Sequence, residues 1–225
     1  MTAEQWTIGR QTAGLTQVQA ARALGISQPY LSQLERGSRV GGAALARKAA
    51  SVYRLPPTAL PLSDLPSALN ADGLQNALAA LGYPAFARVR SRRKMNPALV
   101  VLTALSQRDL DSRLIEALPW LMSVYTDLDW PWLRDRVKLR NLQNRLGYLL
   151  HLTLNVQQAD VSKLENLSRW RRDLEDARLA REDTLCRDSM PQRERSWLRK
   201  HRPREAAHWN LLTSLTVEQL PYASK

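Results

Sequence analysis

Residues Leu15–Gly37 read LTQVQAARALGISQPYLSQLERG, and the pattern is two short helices joined by a tight turn. Thr16 is placed to N-cap the first helix, and Gln19 completes a T-x-x-Q capping box, each side chain taking an unpaired backbone N–H at the helix start. Val18, Ala21 and Leu24 recur at helical spacing and are read as the buried face. Gly25 follows at once, at the position where a helix stops in the left-handed conformation. Ser27 then caps the second helix, and Pro29 is tolerated in its first turn because no internal hydrogen bond is lost there. Leu31 and Leu34 face the core, and Gly37 ends this helix too. So short a connection makes the two helices pack steeply, and the small Ala21 leaves room for the approach.

Working outward, Arg10 precedes this unit, and Pro56, Pro57 and Pro61 close it near residue 62. The segment resembles the phage repressor/Cro (Xre-like) helix-turn-helix family over about residues 4–62, matching at Gln17, Ala21, Gly25, Ile26, Ser27, Leu31, Leu34, Glu35 and Gly37. Arg10 stands where that family pairs an arginine with Glu35, Leu45, Ala49 and Leu55 follow its pattern for the fourth helix, and LPPTAL at 55–60 resembles its usual ending.

The resemblance implies a five-helix domain that binds an operator in double-stranded DNA, with the second helix of the motif lying in the major groove. Gln17 is then expected beside a phosphate at a helix N-terminus. The recognition helix begins near Ser27 or Gln28 and exposes Gln28, Pro29, Tyr30, Ser32, Gln33 and Arg36. Gln28 and Gln33 carry amides able to pair with the major-groove edge of adenine. Tyr30 is placed against sugar or a thymine methyl, and Arg36 and Arg39 against backbone phosphate. Pro29 departs from the family pattern and offers only apolar contact.

The charge balance agrees with a polyanionic partner. Lysine and arginine number 33 against 21 acidic residues, a formal net charge of +12. Residues 1–62 hold seven basic side chains and two acidic ones, and residues 63–94 hold five and two. About two thirds of the excess therefore precedes residue 95. The run Arg88, Arg90, Arg92, Arg93 and Lys94 reads either as an arm along DNA or as a solvated loop. One cysteine, Cys186, allows no intrachain disulfide and fits a reducing cytoplasm. Met1–Arg10 has no signal-peptide pattern, and no apolar stretch approaches the roughly 20 residues that span a bilayer. The expectation is a soluble, cytoplasmic, all-α protein with no cofactor and no metal.

Three regions follow: a helix-turn-helix domain at 1–62, a basic connector at 63–96 with a short helix from Asn70 to Leu81 ended by Gly82, and a helical domain at 97–225 for assembly or partner binding. In the last, helices are expected near Asp109–Tyr125, Trp132–Leu154, Asp160–Cys186 and Gln192–Lys200. LVVLTAL at 99–105 is the best strand candidate, but it sits within a helical pattern. DLDWPWL at 127–133 reads as a helix start, with Asp129 as cap and Pro131 in the first turn. Trp120, Trp130, Trp132, Trp170, Trp197 and Trp209 are expected to be packing anchors. The stripe Leu164, Leu167, Trp170, Leu174 and Ala177 suits a helix packed on one side or a dimer helix.

No phosphate loop, zinc-protease signature or nucleophile elbow occurs. An R-x5-H spacing occurs at Arg145/His151, Arg195/His201 and Arg202/His208, which resembles the active site of HEPN-type ribonucleases; arginine is frequent enough here for the spacing to arise by chance. The reading is a non-enzymatic, dimeric regulator that acts as a repressor. One variant is an autoregulating antitoxin that holds a toxin through its C-terminal domain. The alternative is a helical ribonuclease tethered to a DNA-binding domain.

Overall fold

The computed structural model describes residues 1–63, 69–91, 94–156 and 161–223, in two compact units, Met1–Ser63 and Asp64–Lys225. Among the described residues there are twelve α-helices, short 3-10 turns and one pair of two-residue strands. The chain is all-α, as expected.

In the first unit α1 (Ala3–Thr12), α2 (Gln17–Leu24), α3 (Gln28–Glu35) and α4 (Ala43–Val52) precede a 3-10 turn at Pro57–Ala59. The helix boundaries follow from their caps. Gln19 N–H donates to the Thr16 hydroxyl at 3.2 Å, and Thr16 N–H to the Gln19 side-chain oxygen at 2.9 Å. Caps of this kind are worth about 1 kcal/mol each. Gly25 ends α2 at φ +70°, donating its N–H to the Ala21 and Arg22 carbonyls. The Ser27 hydroxyl accepts from Tyr30 N–H, with Pro29 in the first turn of α3.

The core gathers Trp6, Ala20, Ala21, Leu24, Leu31, Leu34, Ala49 and Tyr53. Trp6 meets Tyr53 edge to face with ring centroids 6.4 Å apart, so the N-terminal helix supplies the largest side chain of this core. Val18 is not part of it and stands 67% exposed. The buried face of α2 is Ala20, Ala21 and Leu24. A spacing of three residues drifts about 60° around the helix at each step, which carries Val18 off that face.

The second unit begins with α5 (Ala71–Ala80), capped by Asn70 and followed by Gly82 at φ +93°. The helix expected in a connector packs on α6 (Pro97–Leu105) and α7 (Ser112–Val124) and counts with this unit. Its buried Leu74, Ala77 and Leu78 give it an apolar face that needs cover. Every residue of α6 is buried, including the strand-like run; a helix apolar all round belongs in the middle of a core.

The sequence stretch Trp132–Leu154 forms two helices rather than one: α8 (Trp130–Lys138) and α9 (Gln143–Leu154). Asn141 adopts φ +57°, and Leu142 N–H closes back on the Val137 carbonyl, the pattern of a left-handed helix stop. Asp129 caps α8 as expected, accepting from Trp132 N–H at 3.0 Å. α10 (Val161–Glu175) also ends sooner than the Asp160–Cys186 pattern suggests. Side chains of α9 compete for its onward backbone: Gln143 donates to the Ala177 carbonyl, and Asn144 both donates to and accepts from Leu179, each at 2.9 Å. After α10 come β1 (Asp183–Thr184), α11 (Gln192–His201), α12 (Arg204–His208) and β2 (Leu211–Leu212). The strands pair in parallel, Asp183 with Leu211 and Thr184 with Leu212.

α9 is the centre of the unit and is covered by α7, α8, α10 and α12. Leu167 and Leu174 are buried, α10 packs along α9, and Trp170 stacks on Trp130 at 6.2 Å. Leu164 lies outside the described side chains. Trp209 is fully buried and sits so close to α9 that a Cβ on Gly147 would fall 2.3 Å from its ring. Trp197, by contrast, is 54% exposed and stacks on His201 at 4.5 Å.

Arg145, 5% exposed, anchors the return of the chain. Its Nε and Nη2 donate to the two carboxylate oxygens of Asp183 at 2.7 and 2.8 Å, and Nη1 donates to the Leu105 and Gln107 carbonyls at 3.0 and 3.1 Å. Burial, the largest single effect, works against its charge, but the Asp183 hydrogen bonds together with the charges of Cys186, Asp183 and Asp188 outweigh it and hold the guanidinium more basic than usual.

Candidate nucleic-acid interface

One hydrogen-bonded chain of side chains ties the three helices of the motif together. Arg10 on α1 grips Glu35 at the end of α3, with Nε to Oε1 at 2.6 Å and Nη2 to Oε2 at 3.2 Å. Arg10 Nη1 also holds the Leu15 carbonyl at 2.8 Å. The second Glu35 oxygen accepts from Gln17 Nε2 at 2.7 Å, and Gln17 Oε1 accepts from Gln28 Nε2 at 2.7 Å. The pair is well shielded, its side chains 13% and 6% exposed. The hydrogen bond to Glu35, more than the opposing burial, makes Arg10 more basic than usual. Tyr53, beneath this pair, is pushed up to about 12 by burial, with Glu35 adding to the effect and Arg10 opposing it.

The Arg10–Glu35 pair was expected. The link from Glu35 through Gln17 to Gln28 was not, and its signal lay only in glutamines at the first positions of two helices that meet. Lys48 was also missed: its Nζ donates to the Leu24 carbonyl at 2.8 Å, closing the end of α2 from α4.

The candidate contact residues divide by exposure. Ser27, Pro29, Arg36 and Arg39 are exposed, whereas Gln17, Gln28, Tyr30, Ser32 and Gln33 are half-buried. Tyr30 packs against the edge of the core. The Ser27 hydroxyl is engaged as the cap, and Arg36 Nε folds back to the Ser32 carbonyl at 3.3 Å. Arg22, Arg47 and Lys48 add exposed positive charge to the same unit. Of the basic run, Arg88, Arg90 and Lys94 are exposed in the second unit, while Arg92 and Arg93 lie outside the described residues.

The R-x5-H pairs each lie six residues apart, which on one helix turns the two side chains about 120° from each other. Arg145 is engaged with Asp183, while His151 has Nδ1 3.7 Å from Glu205. Arg195 donates to the Met190 and Asp188 carbonyls. Arg202 donates to the Leu211 carbonyl, and His208 lies 2.5 Å from Glu175. Among the described residues no group of histidine, cysteine and acidic side chains could hold a metal ion, and no described helix is long and apolar enough to cross a membrane.

A family model described as a helix-turn-helix domain matches residues 9–62. No curated protein and no solved structure matches the chain. The first unit therefore carries a helix-turn-helix DNA-binding domain. The match spans about a quarter of the sequence, and it contains α2, α3 and the whole Arg10–Gln28 chain of hydrogen bonds.

Proposed function

We propose that the protein is a sequence-specific DNA-binding transcriptional regulator of the phage repressor/Cro type, occupying its operator as a repressor. The observation that carries this reading is the placement of Gln28 at the start of α3, its amide fixed by Gln17, which is in turn fixed by Glu35. A recognition amide held in one orientation binds its base with less ordering cost than a free one. In this reading Gln28 and Gln33 read base edges, Ser32 and Pro29 lie along the groove, and Tyr30 braces α3 from its half-buried position. Gln17, Ser27, Arg36 and Arg39 meet phosphate.

A single motif of this type reads only a short half-site, so a homodimer on a two-fold operator belongs to the proposal. An antitoxin role would add a toxin on the second unit, and co-expression with a neighbouring toxic gene tests that addition.

The test is binding of the purified chain to DNA from its own upstream region and to scrambled DNA, across a salt series. The expected preference for its own DNA is about a thousandfold or more. Gln28→Ala/Gln33→Ala should lose the preference and keep the salt-dependent, sequence-independent binding. Equal binding of both DNAs by the unaltered protein would overturn the proposal.

A further inference from the structure

A cavity of about 410 Å3 opens in the second unit beside α7, α11 and the segments that follow β1 and β2. Its volume lies within the usual range of small-molecule sites. The apolar wall consists of Ile115, Leu185, Met190, Leu198 and Leu212, all buried. Met190, Leu198 and Leu212 form a small cluster of their own; the cavity faces it.

The rest of the lining is polar in part, with Ser112, Thr213, Ser214 and Gln219, and it holds three charged residues, Glu116, Arg187 and Glu194. Arg187 Nη1 lies 2.5 Å from Glu194 Oε1, so these two neutralise each other. That leaves Glu116, half-buried on α7. Among the described residues none donates a hydrogen bond to its carboxylate, and none lies within ion-pair distance of it. Burial, seconded by Asp111 and opposed by Arg113, holds its carboxyl above the usual carboxylate range. Its carboxylate, without a partner, lines a cavity that has one apolar wall, in a chain of net charge +12. The lining thus has the sign opposite to that of the molecule.

We infer that this cavity binds a small organic cation, an ammonium group carried on an apolar body, with the ammonium on Glu116 and the body against Met190, Leu198 and Leu212. An anion finds no free cation there, since Arg187 is taken by Glu194, and a neutral ligand leaves Glu116 without a counter-charge. The inference does not depend on the DNA-binding reading.

Calorimetric titration of the full chain with n-hexylammonium, n-hexanol and hexanoate tests it. A hydrogen-bonded ion pair predicts that the ammonium binds about tenfold or more tightly than the alcohol, with hexanoate weakest. Glu116→Gln, close in shape, should bring ammonium and alcohol to similar affinity. Ser214→Trp, an exposed change at the cavity rim, should block both. Failure of the unaltered protein to bind the ammonium, equal binding of all three probes, or an ammonium preference that survives either substitution would overturn the inference.

Discussion

His151 lies half-buried on α9, with Glu205 beside Nδ1 and its ring stacked on Tyr148 at 6.1 Å. Burial disfavours its charged form, Arg171 and His208 add to that, and Glu205 opposes it, leaving the pKa below the ordinary 6.5. The folded chain therefore takes up this proton less readily than the unfolded chain. Its stabilising contribution is fully present above pH 6.5 and is lost as the pH falls from there through the lowered pKa of the folded chain. Thermal unfolding should show a lower midpoint at about pH 5.5 than at about pH 7.5, within the range where histidine titrates, and His151→Gln should remove part of that fall. An identical slope in the variant would assign the effect to other groups. Some residue-scale features were legible in the sequence because they are local: Thr16, Gly25, Ser27 and Asp129 sit at the helix ends they were assigned. Arg145 was read as one half of a candidate catalytic pair because its true partner, Asp183, lies 38 residues further on, and spacing within a helix carries no information about such a contact.

Among the elements, α9 sets two tendencies against each other at Gly147. Helix propensity favours alanine there by about 1 kcal/mol. Packing opposes it, since the added Cβ would fall 2.3–2.6 Å from three atoms of the Trp209 ring, and overpacking of this kind costs typically about 1–3 kcal/mol. Packing should win, so Gly147→Ala should lower the unfolding midpoint of the second unit; a rise would mean that α12 and β2 can move off α9 without loss. The same helix explains why element boundaries in this half were harder to read. Periodicity continued across Asn141, yet the chain stops there in a left-handed turn. It also continued beyond Glu175, where Gln143 and Asn144 draw the backbone into other hydrogen bonds. Both interruptions depend on tertiary partners. In α2 and α3, where the caps were spelled out in the sequence, the boundaries came within a residue of expectation.

Across the whole molecule, the recognition motif and the cavity are divided between the two units: the helix-turn-helix lies in the first, and the cavity and the buried Arg145 cluster lie in the second. The single cysteine makes that division measurable. Cys186 is buried, and its thiol is pushed up to about 11, chiefly by burial and against the opposing charge of Arg145. Thiolate is the reactive form, so a disulfide-exchange reagent at about pH 8 should leave the folded chain unmodified and label it once the second unit unfolds. Rapid stoichiometric labelling of the folded chain would contradict this placement of Cys186. Because the first unit holds no thiol, loss of helix that precedes labelling on a denaturant scale would belong to the helix-turn-helix unit.

The phenol of Tyr222 donates to the Glu116 carbonyl at 2.6 Å and accepts from Trp120 N–H at 2.9 Å, more than a hundred residues back along the chain. During synthesis this tie between α7 and Tyr222 forms only once residue 222 has left the ribosome. The helix-turn-helix lies within the compact unit Met1–Ser63, and domains made first generally fold first. On a translating ribosome, a finished DNA-binding head would precede a second unit still lacking its final tie.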